Sequence, residues 1–154
     1  MKAITVFMEQ DHDRLDDLLG KFQATKRSEF STAKQAFAEF VRGLQRHIIW
    51  EEEMLFPVFE AHTGAREYGP TAVMRLEHRR IKAALDQIHD RIAQGAIETD
   101  EFEKRLIETL AAHNQKEETV LYPWIDNLLS EQDAKDLLAR MMELPAERYQ
   151  QCCG

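Results

Sequence analysis

Laid on itself with an offset of 66 residues, the chain sets like chemistry on like: His12 falls on His78, His47 on His113 and Glu51 on Glu117. The same shift superposes Met8 on Met74, Leu19 on Leu85, Leu44 on Leu110, Glu52 on Glu118, Leu55 on Leu121, Phe56 on Tyr122 and Pro57 on Pro123. A second half that repeats its first in this way folds as two copies of one unit, each completing the other's core. That constrains the fold more than any single motif does.

The unit is helical. Apolar residues recur at helical spacing through Ile4, Phe7, Met8, Leu15, Leu18, Leu19 and Phe22, and again through Phe37, Phe40, Val41, Leu44, Ile48, Leu55 and Phe59, which predicts helices over about 1–24 and 32–61. HTGAREYGP, residues 62–70, breaks the period, and Pro70 and Thr71 suit the first turn of a third helix carrying Val73, Met74, Ile81, Leu85, Ile88 and Ile92. Gly95 interrupts that helix. Thr99, followed by Asp100 and Glu101, reads as the cap of a fourth helix through Phe102, Leu106, Ile107, Leu110, Leu121 and Trp124, and Ser130 opens a short fifth ahead of Pro145. No strand pattern appears. The expectation is an all-α fold: an up-down-up-down four-helix bundle over 1–128, with 129–154 adding a short C-terminal helix and tail to the same domain.

Equal rise per residue then locates the histidines. For His12, His47, His78 and His113 to share one depth in the bundle, the chain has to reverse midway between successive members. Those midpoints fall in KRSEFS, at residues 62–64 and at Gly95, the three places where periodicity breaks. In HIIWE and HNQKE the histidine and glutamate stand four apart, so one helix face offers an imidazole and a carboxylate together. Four imidazoles and two carboxylates thus converge on one core layer. Without a cation such a layer is costly, because buried polar groups need partners and unpaired buried charge is expensive. A carboxylate can bridge two cations and an imidazole offers one lone pair, so the set divides into two metals: His12 and His47 on one, His78 and His113 on the other, Glu51 and Glu117 between them. Both metals would keep open positions.

The order and spacing of these residues resemble the hemerythrin-like, or HHE cation-binding, family: an early His, H-x-x-x-E followed by E-E-x-L-F-P, a third His, and a second H-x-x-x-E ending L-Y-P, over about residues 1–128. The resemblance implies a four-helix bundle around a non-haem di-iron centre, serving oxygen carriage, oxygen or redox sensing, iron homeostasis or repair of damaged iron centres. The oxygen carriers of the family place a second histidine on the third helix, four residues from the first. Here Met74 and Lys82 stand at those positions, so a five-histidine site is absent. The carriers' five-residue spacing to the last carboxylate would select Glu118; the internal repeat selects Glu117. The four-histidine set looks more like the bacterial stress-response and iron-centre-repair branch. That branch commonly carries an N-terminal domain with cysteines, whereas this chain begins eleven residues before His12, which counts against repair.

Charge narrows the partners. The formal net charge of −8 disfavours nucleic acid and anionic lipid, and no apolar run approaches a bilayer span. MKAITVFMEQDHDR turns acidic before a signal-peptide core could form, so a cytoplasmic protein is expected. Cys152 and Cys153 are adjacent at the C-terminus and read as a loose tail or as a metal-handling thiol pair.

Met8 and Met74, one turn from His12 and His78, would fill core or wall a ligand pocket. Trp50, Phe56, Tyr122 and Trp124 are expected between helices, with Tyr122 near enough to the centre to donate a hydrogen bond or be oxidised. Lys82 is expected to face solvent or to steady a bound oxidant. Glu52, Glu53 and Glu118 read as partners of ligand imidazoles or as a solvated stripe. His62 and His89 have no repeat partner and fall outside the layer. The leading functional expectation is a protein holding two non-haem iron ions that binds or senses a small oxidant such as oxygen, nitric oxide or peroxide. Zinc or manganese are possible substitutes for the iron. Beside it stand a di-iron enzyme with peroxidase-like, nitric-oxide-reducing or repair activity, and an iron or zinc buffer. The oligomeric state stays open.

Overall fold

The computed structural model describes residues 2–150; Cys152 and Cys153 lie outside them. Helix α1 (Ala3–Thr25) is followed by α2 (Phe30–Ile49), which runs through a π-helical turn (Trp50–Leu55) directly into α3 (Phe56–Thr63). After α4 (Pro70–Ala93), α5 (Asp100–Lys116) likewise passes through a π-turn (Glu117–Leu121) into α6 (Tyr122–Leu128). Helix α7 (Glu131–Met142) starts where the Ser130 hydroxyl accepts the Asp133 N–H at 3.1 Å, and a 3₁₀ turn (Ala146–Arg148) follows. The fold is an all-helical bundle, with no strand among the described residues.

The two π-turns come at equivalent places in the repeat, and their cause is local. Phe56 N–H bonds the carbonyl of Glu51, and Tyr122 N–H that of Glu117, five residues back instead of four. The next residue in each case is proline, Pro57 or Pro123. Proline has no N–H and its ring crowds the carbonyl four residues earlier, so a wider turn ahead of it relieves the clash. The wider turn leaves the Glu52 carbonyl facing Pro57, which cannot donate. Arg75 supplies the missing donor: its Nη2 reaches Glu52 O at 3.1 Å while the same guanidinium holds Glu60.

Packing divides the interior into two apolar clusters. One gathers Leu15, Leu19, Phe22, Phe37, Phe40, Leu44, Ile81, Leu85, Ile88 and Leu106. The other gathers Ile4, Met8, Trp50, Leu55, Phe56, Phe59, Met74, Leu121 and Ile125, closed by Leu137 and Met141 of α7, whose backbone carbonyl at Met141 accepts Trp50 Nε1 at 2.8 Å. At Gly43 an added Cβ would lie 2.7 Å from Leu15 Cδ2, so the absence of a side chain there lets α2 lie close on α1.

Polar ties orient α1 against the α5–α6 rod. Its first N–H groups, which lack helical partners, are capped from far along the chain: Asp126 accepts from the backbone of Ile4 and Thr5, each at 2.9 Å, and from the Thr5 hydroxyl at 2.6 Å. At its other end Lys26, only 2% exposed, donates to Glu103 at 2.5 Å, to Thr99 at 3.2 Å and to Asp100. The start of α1 therefore meets the end of α6, and its end meets the start of α5, so the two run antiparallel.

Three sequence expectations change. Thr99 stands at the N-cap of α5, but its hydroxyl bonds Glu103 and Lys26 instead of a backbone N–H, because the buried ammonium and carboxylate are stronger partners. Val73 and Ile107 are 45% and 37% exposed, since neighbouring residues on a helix are turned about 100° apart and Met74 and Leu106 take the inward positions. Trp124 is 43% exposed, its ring edge-on to Phe59 at 4.8 Å: the extra residue in the π-turn rotates it off the stripe that uninterrupted α-helix would place it on.

Lys26→Met removes one member of a buried ion pair and strands Glu103, so it is expected to lower unfolding stability by about 3–5 kcal/mol. The double variant Lys26→Met/Glu103→Leu should recover most of that loss in urea melts; equal losses in the two variants would show that the pair is not the cause.

Candidate metal centre

His12 (α1), His47 (α2), His78 (α4) and His113 (α5), with Glu51 and Glu117 at the start of the π-turns, meet in one layer between the two apolar clusters. The structure brings all six together, the histidines 2–3% exposed and both glutamates 0%. The imidazoles pair as the repeat expects: the His12 and His47 rings lie 4.7 Å apart, and those of His78 and His113 4.9 Å apart. Each histidine aims Nε2 inward. His12 Nε2 is 3.3 Å from Glu117 Oε1, His113 Nε2 3.3 Å from Glu117 Oε2, His78 Nε2 3.0 Å from Glu51 Oε1, and His47 Nε2 3.7 Å from Glu51 Oε2.

The outer nitrogens explain why the rings hold this orientation. Every Nδ1 meets a carboxylate: His12 that of Glu118 at 2.6 Å, His47 that of Asp11 at 2.8 Å, His78 that of Glu52 at 2.6 Å and His113 that of Glu77 at 2.8 Å. A carboxylate only accepts, so Nδ1 carries a proton and Nε2 is the atom each ring turns to the centre. Arg14 further holds Asp11, and Lys116 holds Glu77. Burial opposes ionisation of Asp11, Glu52 and Glu77, yet bonds and charge from their basic neighbours outweigh it and lower all three.

Sequence reasoning finds half of this ring. Glu52 and Glu118 are among its alternatives, whereas Glu53 pairs with Arg148 at 2.5 Å instead. It misses Asp11 and Glu77, although they too stand 66 residues apart, each just before a layer histidine. Of the two glutamates left open, Glu117 faces the inner nitrogens, and Glu118, with its side chain 32% exposed, sits behind His12. His62 is exposed, with Nδ1 on the Val58 carbonyl, and His89 is half-buried beside Asp90, so neither joins the layer.

The inner groups share protons. Burial opposes charge on His12, but Glu117, Glu118 and Glu51 outweigh it and raise the imidazole to about 9. Against the same penalty Glu51 and Glu52 raise His78 to about 10, and Glu117 raises His113. Burial and the neighbouring Glu117 push Glu51 up. Glu117 falls well below the usual range despite burial, because Glu51, His113 and His12 all donate toward it. Even so, Glu117 Oε2, 3.3 Å from His113 Nε2, is buried without a hydrogen bond of good geometry. Such an orphaned oxygen is rare in a folded interior and fits a cation ligand. Two donor groups suit a cation, Glu51–His78–His113–Glu117 and His12–His47–Glu117, the donor atoms within each lying inside 4.8 Å of one another.

Tyr122 is more than packing. Its fully buried Oη stands 2.7 Å from Glu51 Oε2, 3.0 Å from Glu117 Oε1, 3.2 Å from His47 Nε2 and 3.3 Å from His12 Nε2. Burial, then the charges of Glu117 and Glu51, push the phenol well up. Met8 and Met74 are buried in the apolar cluster beneath the layer. A groove of about 480 Å³ between α2 and α4 reaches His78 from outside, its lining including Ile48, Glu52, Arg79, Lys82 and Leu85.

The family model described as hemerythrin HHE cation binding domain matches residues 3–125, and the chain belongs to that family. No curated protein and no solved structure matches it.

Cation binding has to displace protons from these imidazoles. A histidine raised from 6.5 to about 9 or 10 stabilises the metal-free fold fully below pH 6.5 and loses that contribution as pH climbs through the raised value. Between those limits the cation competes with the proton. Zinc uptake at pH 7.5 is therefore expected to release protons, seen as a binding enthalpy that varies with buffer ionisation enthalpy, and affinity should rise toward pH 9. An enthalpy independent of buffer would contradict the assignment.

Proposed function

We propose that this member of the hemerythrin HHE cation-binding family holds two non-haem iron ions, one on His12 and His47 and one on His78 and His113, bridged by Glu51 and Glu117. We place them within an up-down-up-down four-helix bundle in the cytoplasm, where the protein binds or senses a small oxidant such as oxygen, nitric oxide or peroxide. The observation that carries this reading is the paired ring of donors: four buried Nε2 atoms directed inward, each fixed by a carboxylate on Nδ1, around two fully buried glutamates. Zinc or manganese would fit the same donors less selectively, because nitrogen and carboxylate ligands discriminate weakly among these ions.

When bound, an iron pair supplies one-electron chemistry and open coordination positions for a small ligand. The chain's own residues do the rest. The carboxylates of Asp11, Glu52, Glu77 and Glu118 hold the imidazoles in register and raise their basicity. The apolar clusters on either side keep bulk water from the layer, and the α2–α4 groove offers a route to it. Lys82, exposed at that groove, and Arg79 beside it place positive charge on the route in a chain of net charge −8, which favours entry of small anions. Met74 and Lys82, where a fifth histidine would be, add no imidazole, which supports sensing or consumption of an oxidant over reversible carriage.

Elemental analysis of iron-loaded protein is expected to give two metal ions per chain, and His47→Ala and His113→Ala should each lose about one. A wild-type value near zero under iron-replete expression would sink the reading. Chelation should lower Tm while leaving helical circular dichroism in place, since a cation at a hundredfold excess over its Kd contributes only about 3 kcal/mol to a fold with a large apolar core. On mixing with oxygen the reduced protein should oxidise without reverting when oxygen is removed; full reversal over repeated cycles would restore the carrier reading.

A further inference from the structure

The repeat makes the two halves of the centre equivalent in every ligand, and one pair of residues breaks that equivalence. Phe56 and Tyr122 occupy the same repeat position, each directly after a π-turn and both 0% exposed. Phe56 stacks on the His78 ring at 5.8 Å and 12°. Tyr122 lies 5.8 Å from the His12 ring, but it carries an oxygen, and that oxygen lies among the donors.

Resting on the two-iron reading above, we infer that Tyr122 Oη is a ligand to the cation held by His12 and His47, so that the cation held by His78 and His113 is the one that takes the small exogenous ligand. Atoms sharing one transition-metal ion at about 2.1 Å each lie about 3 Å from their neighbours in octahedral geometry. Oη lies between 2.7 and 3.3 Å from His12 Nε2, His47 Nε2, Glu51 Oε2 and Glu117 Oε1, the spacing of a shared ion. The phenol has one proton for two carboxylate oxygens, Glu51 Oε2 and Glu117 Oε1, whereas a cation shared by these atoms satisfies both. On binding, the phenol proton leaves to solvent with those displaced from the imidazoles.

The consequence is a count. With Glu51 and Glu117 each giving one oxygen to either cation, as the two-iron reading has it, the His12–His47 side would have five donors: two imidazoles, two carboxylate oxygens and the phenol. The His78–His113 side has four, because Phe56 brings none. Open positions therefore concentrate on the His78–His113 side, and that is the side the α2–α4 groove reaches, with His78 in its lining. Donor number and access point independently to the same half.

The test uses the full chain loaded with ferric iron. Wild type should show a visible phenolate-to-iron charge-transfer band, and Tyr122→Phe should lose it while keeping two irons and its helical circular dichroism. A zinc titration, which needs no redox chemistry, should give two steps in wild type, with the tighter one weakened about ten- to a hundredfold by Tyr122→Phe. Should the variant fail to fold, resonance Raman of wild type grown on ring-deuterated tyrosine decides between the alternatives through isotope-sensitive phenolate modes. Two irons with no tyrosine-dependent band, or superimposable zinc isotherms, would overturn the role of Tyr122 alone. Fewer than two metals in the wild type would overturn the two-iron reading on which it rests.

Discussion

Glu51 and Glu117 are both fully buried, and two carboxylates in one apolar interior repel unless positive charge stands between them. Much of the middle of this protein answers that constraint. His12, His78 and His113, raised by these glutamates, supply compensating charge, with Glu51 pushed up and Glu117 held low beside them. A cation would replace shared protons with fixed charge and would give Glu117 Oε2 a well-placed partner. The apolar clusters above and below set the stakes, since the lower the local dielectric, the more an unbalanced charge costs.

Holding such a layer needs rigidity behind it. The carboxylates on the outer imidazole nitrogens are themselves tied, Asp11 by Arg14 and Glu77 by Lys116, so orientation passes from the protein surface inward through charge-assisted bonds. The π-turns serve the same layer. Each begins where a layer glutamate leaves its α-helix and each is forced by a proline six residues beyond that glutamate, so the step that turns the carboxylate inward is written into the backbone. Arg75, answering the carbonyl that Pro57 leaves unpaired, joins this backbone irregularity to α4.

Duplication explains the symmetry, and one departure from it touches the centre. Ligands, outer carboxylates, π-turns and prolines all recur at one offset. The exchange of Phe56 for Tyr122 does not, and it introduces one oxygen into a space where every atom counts. In the proposed centre, unequal halves would give a small ligand a defined place.

The helices, their turns and the six layer residues were legible in the sequence because they rest on periodicities of the chain itself: apolar spacing at 3.6 residues, equal rise, and a repeat that aligned His12 with His78 and Glu51 with Glu117. Other features needed three dimensions. Asp11 and Glu77 obey the same offset, but among 28 acidic residues an offset alone does not say which carboxylates turn toward a ring; packing of α1 on α2 and α4 on α5 decides it. Trp124 left the core because a π-turn shifts the register of everything after it, and the cap of α1 comes from Asp126, more than a hundred residues away. Tyr122 is an aromatic on an apolar stripe by any local measure. Only the tertiary structure brings its hydroxyl among His12, His47, Glu51 and Glu117, because a single atom's place depends on how four helices meet and not on the spacing within one.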